Sequence, residues 1–476
     1  MEVQRKDMTR NDIIRLAKST SFYNLVPFSS VQTAKDVQKL SEQGFETVVT
    51  EKEIKDAFPG IDTTHLFHSP VAIDAPVFYW DEENLIAFPI YLYGLHFLVS
   101  PSGNQDLVGT IARIAGKIKK HVEARDFSFI HTTLNDTMRA EYVGILIDKG
   151  LISYSEFREF YEHLDYGSGA YTAEHIKKIL SKATPEDRAE TERRLAKKKD
   201  VLTVYRGVSS LSTPLNKALS WTLSPSVAMF FAVWRADYEA EIYEATIKKS
   251  EILEYITSRN EEEVLLMPGA VQNIKRNELY GLHFLEEFLP EASPRYHEFL
   301  DRAEFDEEFQ DAVEASNYAS YSSYAVHTLP HSARVFLLCL VLGDLYHLSN
   351  DDIDILADAA LYHDIGRTHD AVETGHGDNS AILYRRFSSD TKPIAEFLIQ
   401  YHCRPDKEGW AFIKQHFGSE QKRVRLLYNI FKDADGLDRV RLGLKELNIS
   451  MLRTEEAKKL PLVANLLLEN IKFNEE

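Results

Sequence analysis

LADAALYHDIGR, residues 356–367, decides how the C-terminal third of the chain is read. Apolar residues recur at helical spacing up to Tyr362, and the run then meets an adjacent histidine and aspartate. A helix ending on His363-Asp364 offers one cation an imidazole and gives the carboxylate to the same ion or to a second one.

Working outward, His331 opens the preceding helical segment in HSARV, and Asp435 lies in KDADGLDRVR on a later one. His376 and His402 fall between them, and His402 follows the apolar helical pattern Pro393–Tyr401. Neutral imidazoles with carboxylates suit Mn, Fe, Co, Ni, Zn or Mg better than they suit a thiolate site. An ion held there lowers the pKa of water and polarises a phosphoryl oxygen. A second ion on His376 and His402 would stabilise both the attacking and the leaving oxygen. Arg334 and Arg367 lie close in sequence to these ligands, and their guanidinium forks fit phosphate oxygens. Helical periodicity is expected over Ser332–Leu348, Asp352–Tyr362, Pro393–Tyr401 and Lys422–Phe431.

The ordered set H…HD…H…H…D resembles the HD-domain phosphohydrolase superfamily over roughly residues 319–445. The resemblance implies a core metal site of His331, His363, Asp364 and Asp435. His376 and His402 match the extra histidines of its dinuclear members.

A second constellation lies between 201 and 270. Short strand-like pieces (VLTVYRGV, ALSWTLS, AEIYEATI, EEVLLMPG) alternate with turns. Three motifs stand out: Tyr205-Arg206-Gly207, Ser220-Trp221-Thr222 followed by PSVAMFFA, and Glu261-Glu262-Glu263 before Val264-Leu265-Leu266. Together they resemble the Arg–Ser–Glu class of mono-ADP-ribosyltransferases, with Ser-Trp-Thr in place of the usual Ser-Thr-Ser. That resemblance implies a split pair of small β-sheets holding NAD. Arg206 would clamp the diphosphate, and Ser220, Trp221 and Thr222 would line the cofactor site with Phe230. Glu263 would stabilise the oxocarbenium-like ribose, with Ser220 orienting it. Glu261, two residues earlier on the same strand and so on the same face, would accept a proton from the nucleophile. The Glu-x-Glu spelling resembles enzymes that modify arginine.

Length and composition frame both readings. The 476 residues predict two to four domains at roughly 100–200 residues each. The expected division is an unassigned α+β segment over 1–130, an ADP-ribosyltransferase-like domain over 131–285, an acidic connector over 286–318 and an HD-type domain over 319–476. The fold class is thus α+β for the N-terminal and middle region, followed by an all-α domain. Strands are expected at Val77–Trp80 and Ile90–Val99, and helices at Asp106–Glu123, after Thr172 and after Thr184. Residues 286–314 carry eleven acidic side chains against Arg295 and Arg302, which reads as a solvated helix. The net charge of −19 argues against broad nucleic-acid binding, which needs a basic footprint. Two cysteines, Cys339 and Cys403, cannot build a disulfide framework and fit a reducing cytosol. No signal peptide and no membrane span are expected, so the location is cytoplasmic, including delivery to a host cytosol.

The combined expectation is a bifunctional bacterial enzyme in a toxin, effector or phage-defence role. It would transfer ADP-ribose from NAD to a protein or nucleotide acceptor, and its hydrolase would cut a phosphate bond, including the diphosphate of the transferase product. Two further readings stay open for the middle segment: an NAD glycohydrolase, or an inactive nucleotide-binding module that regulates the hydrolase.

Overall fold

A computed structural model describes residues 21–470, apart from 44, 46–47, 71–76, 91–106, 165–167, 210–211, 235–239, 258, 317–327, 370–373 and 444–445. Most of the expected strand Ile90–Val99 lies outside the described residues, as does the start of the expected HD segment at 319. Each of the ten described strands between 26 and 278 has an antiparallel partner. In chain order they are β1 (Val26–Pro27), β2 (Leu66–His68), β3 (Val77–Asp81), β4 (Ile86–Ile90), β5 (Val201–Ser209), β6 (Ser220–Thr222), β7 (Ala240–Lys248), β8 (Ile252–Ile256), β9 (Glu263–Leu266) and β10 (Gln272–Glu278). No described helix is long and apolar enough to cross a membrane.

The chain divides into two compact units, and the division runs through the expected 131–285 domain. The first unit takes residues 1–200, 213–220 and 248–270. It holds the sheet β1-β2-β3-β4 and the antiparallel pair β8–β9. Its helices include α1 (Leu107–Glu123), α2 (Asp136–Asp148), α3 (Tyr154–Glu162), α4 (Ala173–Leu180) and α5 (Pro185–Leu195). Thr172 and Thr184 cap α4 and α5 as expected, each accepting the N–H of the third helical residue, and Pro185 opens α5. Trp80 and Phe88 from the sheet join Tyr142 and Ile147 of α2 in one core.

The second unit takes residues 201–212, 221–247 and 271–476. Its strands follow the order β10-β7-β5, with Trp221 and Thr222 of β6 beside β5, and α6 (Pro225–Trp234) packs on β5. The approach is close: a Cβ on Gly207 would lie 2.0 Å from the Ala228 carbonyl oxygen, so the glycine of Tyr205-Arg206-Gly207 has a packing reason. The helices continue as α7 (Leu282–Phe305), α8 (Glu307–Ala315), α9 (Leu329–Leu345), α10 (Asn350–Tyr362), α11 (His376–Phe387), α12 (Pro393–Tyr401), α13 (Asp406–His416), α14 (Gln421–Leu437) and α15 (Pro461–Asn470). Every residue of α9 from His331 to Gly343 is buried, which makes it the central helix of this unit.

The acidic segment is helical as expected, but it forms two helices, α7 and α8, and it is not a solvated connector. Helix α7 buries Leu285, Phe288, Ala292, Phe299 and Ala303 in the same core as α9, and Phe299 stacks on Phe336 at 4.5 Å. Its two arginines dock on α10: Arg295 reaches Asp354 at 3.0 Å and Arg302 reaches Asp358 at 2.9 Å. The acidic side chains mark only the outer face. Phe299→Ala is therefore expected to destabilise the protein by about 3–5 kcal/mol, as truncation of a buried aromatic does. Urea unfolding would measure it; a loss under about 0.5 kcal/mol, usual for a surface substitution, would return the segment to the role of connector.

A carboxylate-bridged histidine centre

Helix ends build this centre. Helix α10 starts on a capping box between Ser349 and Asp352 and stops with His363 as its C-cap, so Asp364 is the first residue beyond it. Helix α12 likewise stops with His402 as its C-cap. Helix α11 begins on His376, and His331 lies in the first turn of α9. Asp435 comes from the last turn of α14. Gly366 lets the turn after Asp364 close on α11: a Cβ there would lie 2.4 Å from the Ser380 nitrogen, and Ser380 Oγ accepts the Gly366 N–H at 2.9 Å.

The six side chains expected as ligands come together around Asp364, which is buried. Asp364 Oδ2 lies 3.6 Å from His331 Nε2 and 3.5 Å from His363 Nε2. Asp364 Oδ1 lies 3.2 Å from His376 Nε2 and 3.4 Å from His402 Nε2. Each oxygen thus serves one pair of imidazoles, and Asp435 Oδ1 joins the first pair at 3.5 Å from His331 Nε2.

The remaining ring nitrogens fix which atoms face inward. His363 Nδ1 is 2.9 Å from the Ala360 carbonyl oxygen, and His402 Nδ1 is 2.8 Å from that of Ile399. Carbonyls only accept, so both Nδ1 atoms carry the proton and both Nε2 lone pairs point into the centre. His331 Nδ1 sits 2.7 Å from Asp438 Oδ2, which does the same for that ring. Within each pair the Nε2 atoms then face one another, at 3.2 Å for His331–His363 and 2.9 Å for His376–His402. Two lone pairs at that distance repel unless a proton or a metal ion lies between them. The donor set of imidazoles and carboxylates fits a divalent ion in each place.

Electrostatics agree with the geometry. Burial pushes the His363 imidazole down to about 3, so it stays neutral. Burial also acts against charge on His376, but hydrogen bonds with Asp364 and Cys403 outweigh it and raise it to about 9. Burial would raise Asp364 as well; the surrounding imidazoles and Arg367 instead hold it well below the usual carboxylate range.

The arginines expected on phosphate have carboxylate partners. The buried Arg334 places Nε 2.6 Å from Asp438 Oδ1 and Nη2 3.0 Å from Oδ2, so its fork grips the carboxylate that orients His331. Arg367 Nε donates to Asp364 Oδ1 at 2.9 Å. Two residues were missed by sequence reasoning. Asp438 follows Asp435 by one helical turn, a spacing that could have signalled it. Cys403 follows His402 and forms with His376 and His402 a cluster whose ligand atoms lie within 4.8 Å of one another. Burial pushes its thiol up, yet His376 and His402 bring it down to about 7.

In the first unit, Ser220 Oγ donates to Glu263 Oε1 at 2.5 Å, and Tyr161 donates to the same oxygen at 2.8 Å. Arg259 lies 3.4 Å from Glu263 Oε2 and 3.1 Å from Glu261 Oε2. Burial pushes the Glu263 carboxyl up despite these partners. One expectation needs correction: Glu261 does not precede Glu263 on a strand. Glu262 has φ +44° and β9 begins only at Glu263, so strand alternation cannot align the two. They share a side because both reach Arg259, while Glu262 turns out to Lys198 at 3.5 Å. Arg206, Trp221 and Thr222 belong to the second unit. Arg206 is half-buried on β5 and Trp221 is buried. Thr222 Oγ1 accepts the Ser224 N–H at 3.0 Å where the chain turns into α6, and Phe230 stacks on Trp234 at 5.6 Å.

Metal binding to the centre must displace the proton held by His376. Its apparent affinity is expected to rise by about tenfold per pH unit toward pH 9, because the protonated ring cannot ligate. Calorimetry in buffers of different ionisation enthalpy would read the released proton; binding at pH 7 without proton release would contradict the assignment.

Comparison with known proteins agrees with this part of the chain. No curated protein and no solved structure matches it. An HD domain is detected over residues 328–440, a span that contains the six residues expected as ligands as well as Asp438 and Cys403.

Proposed function

We propose that the second unit hydrolyses a phosphate ester or anhydride with a pair of divalent ions. The observation that carries this reading is Asp364, with one carboxylate oxygen turned to each pair of facing imidazoles. His331, His363, Asp364 and Asp435 would hold one ion; Asp364, His376 and His402 would hold the other. When bound, the ions supply Lewis acidity that activates water and polarises a phosphoryl oxygen. The chain itself orients the donors. Asp438, clamped by Arg334, fixes His331, and the backbone carbonyls of Ala360 and Ile399 fix His363 and His402. Asp364→Ala should lose bound metal by elemental analysis and hydrolysis of bis-p-nitrophenyl phosphate together. Hydrolysis that survives both this substitution and chelation would refute the reading.

A second reading concerns Glu263, and the fixing of its Oε1 by Ser220 and Tyr161 favours it. An oriented, water-poor carboxylate suits stabilisation of a ribosyl cation derived from NAD. This reading rests on the Glu263 group alone. Glu263→Gln keeps shape and hydrogen bonding but removes charge, so nicotinamide release should fall by about a hundredfold to a thousandfold. With labelled NAD, label on protein indicates transfer and free ADP-ribose indicates glycohydrolase. No release from the wild type would leave Glu263 in a binding module.

A further inference from the structure

Helices α10 and α12 end in the same way. The first closes on Tyr362-His363-Asp364 and the second on Tyr401-His402-Cys403. Both histidines are C-caps of nearly equal backbone angles, φ −59° ψ −35° and φ −59° ψ −39°. Each backbone N–H bonds four residues back at 3.0 Å, and each Nδ1 meets the carbonyl three residues back. Two equal helix ends place the next residue's Cα alike relative to the imidazole. At the first end that residue carries the bridging carboxylate. At the second it carries the Cys403 thiol, in the cluster with His376 and His402, and Cys403 Sγ also donates to the Thr374 carbonyl at 3.3 Å.

We infer that Cys403 is a direct ligand of the second ion, giving it a mixed set of two imidazole nitrogens, one Asp364 oxygen and one sulfur. The inference rests on the two-ion reading of the centre. Its consequence is chemical selectivity within the pair. The position shared by His331, His363, Asp364 and Asp435 offers only nitrogen and oxygen, whereas sulfur biases the other toward borderline-soft ions such as Zn(II), Fe(II) or Co(II), and away from Mg(II). On binding, the thiol gives up its proton to solvent and Sγ takes the coordination place.

The test uses the full-length protein, stripped by chelation and refilled with Co(II). Visible d–d absorption reports any bound cobalt, and a sulfur-to-cobalt charge-transfer band in the near ultraviolet reports a cysteine ligand. The wild type should show both, and Cys339→Ala should keep the band. Cys403→Ser should lose the band and hold its second cobalt at least tenfold more weakly. Cys403→Asp, which copies the Asp364 arrangement, should restore binding without the band. Cobalt bound at two equivalents with no sulfur band would overturn the ligand assignment and leave Cys403 as a hydrogen-bond partner of His376. Absence of bound cobalt would overturn the metal reading itself, and the two failures are told apart by the d–d absorption.

Discussion

A buried carboxylate is tolerated only where positive charge or strong donors replace the lost hydration. Asp364 is such a group, and the second unit is arranged to satisfy it. Arg367 comes from its own turn, His363 from the helix before, and His376 and His402 from the two helices that follow. Because each partner sits at a helix end, the lengths and junctions of α10, α11 and α12 are constrained by one side chain. Gly366 and Ser380 hold the first junction, and the C-cap histidines define the others.

The same requirement propagates outward through a second carboxylate. Asp438 fixes His331 and is itself held by Arg334 and by Arg441, whose Nη1 lies 3.4 Å away. The expectation that Arg334 contacts phosphate followed from its closeness in sequence to His331. In the folded chain that closeness serves orientation instead, since a planar fork matches a carboxylate in two places. A third acid, Asp358, ties the outer layer: it receives Arg302 from α7, Lys392 from before α12 and the Tyr384 hydroxyl. Acidic residues in this unit are therefore structural nodes as well as contributors to the net charge.

Why some of this was legible in the sequence and some was not has a physical explanation. The histidine and aspartate cluster was legible because four histidines and two aspartates fall in helical segments, a set whose donor chemistry suits a divalent ion. The long helices were legible from periodicity. Strand β10 was not, because six of its seven residues are exposed and no alternation of burial marks it. Helix α7 was read as solvated because its acidic count hid the stripe Leu285, Phe288, Ala292, Phe299. Tyr161 gave no signal at all: its bond to Glu263 spans 102 residues, and only folding brings them together. Glu261 and Glu263 both reach Arg259 through a left-handed Glu262, a backbone feature that strand alternation does not anticipate.

The two buried carboxylates on which the functional readings depend are driven in opposite directions. Around Asp364 the neighbours are imidazoles and a guanidinium, and they keep the anion charged at every ordinary pH. A permanent anion is what a resident cation needs, since its affinity would otherwise vanish with each protonation. Around Glu263 the closest partners are two neutral hydroxyls, with Arg259 farther off, and burial prevails and raises the carboxyl. Neutral donors to one oxygen fix orientation while leaving the charge poorly compensated, so such a group gains most when a positive charge develops beside it. The contrast therefore separates a carboxylate suited to holding a cation from one suited to meeting a transient cation, whichever reaction brings that cation.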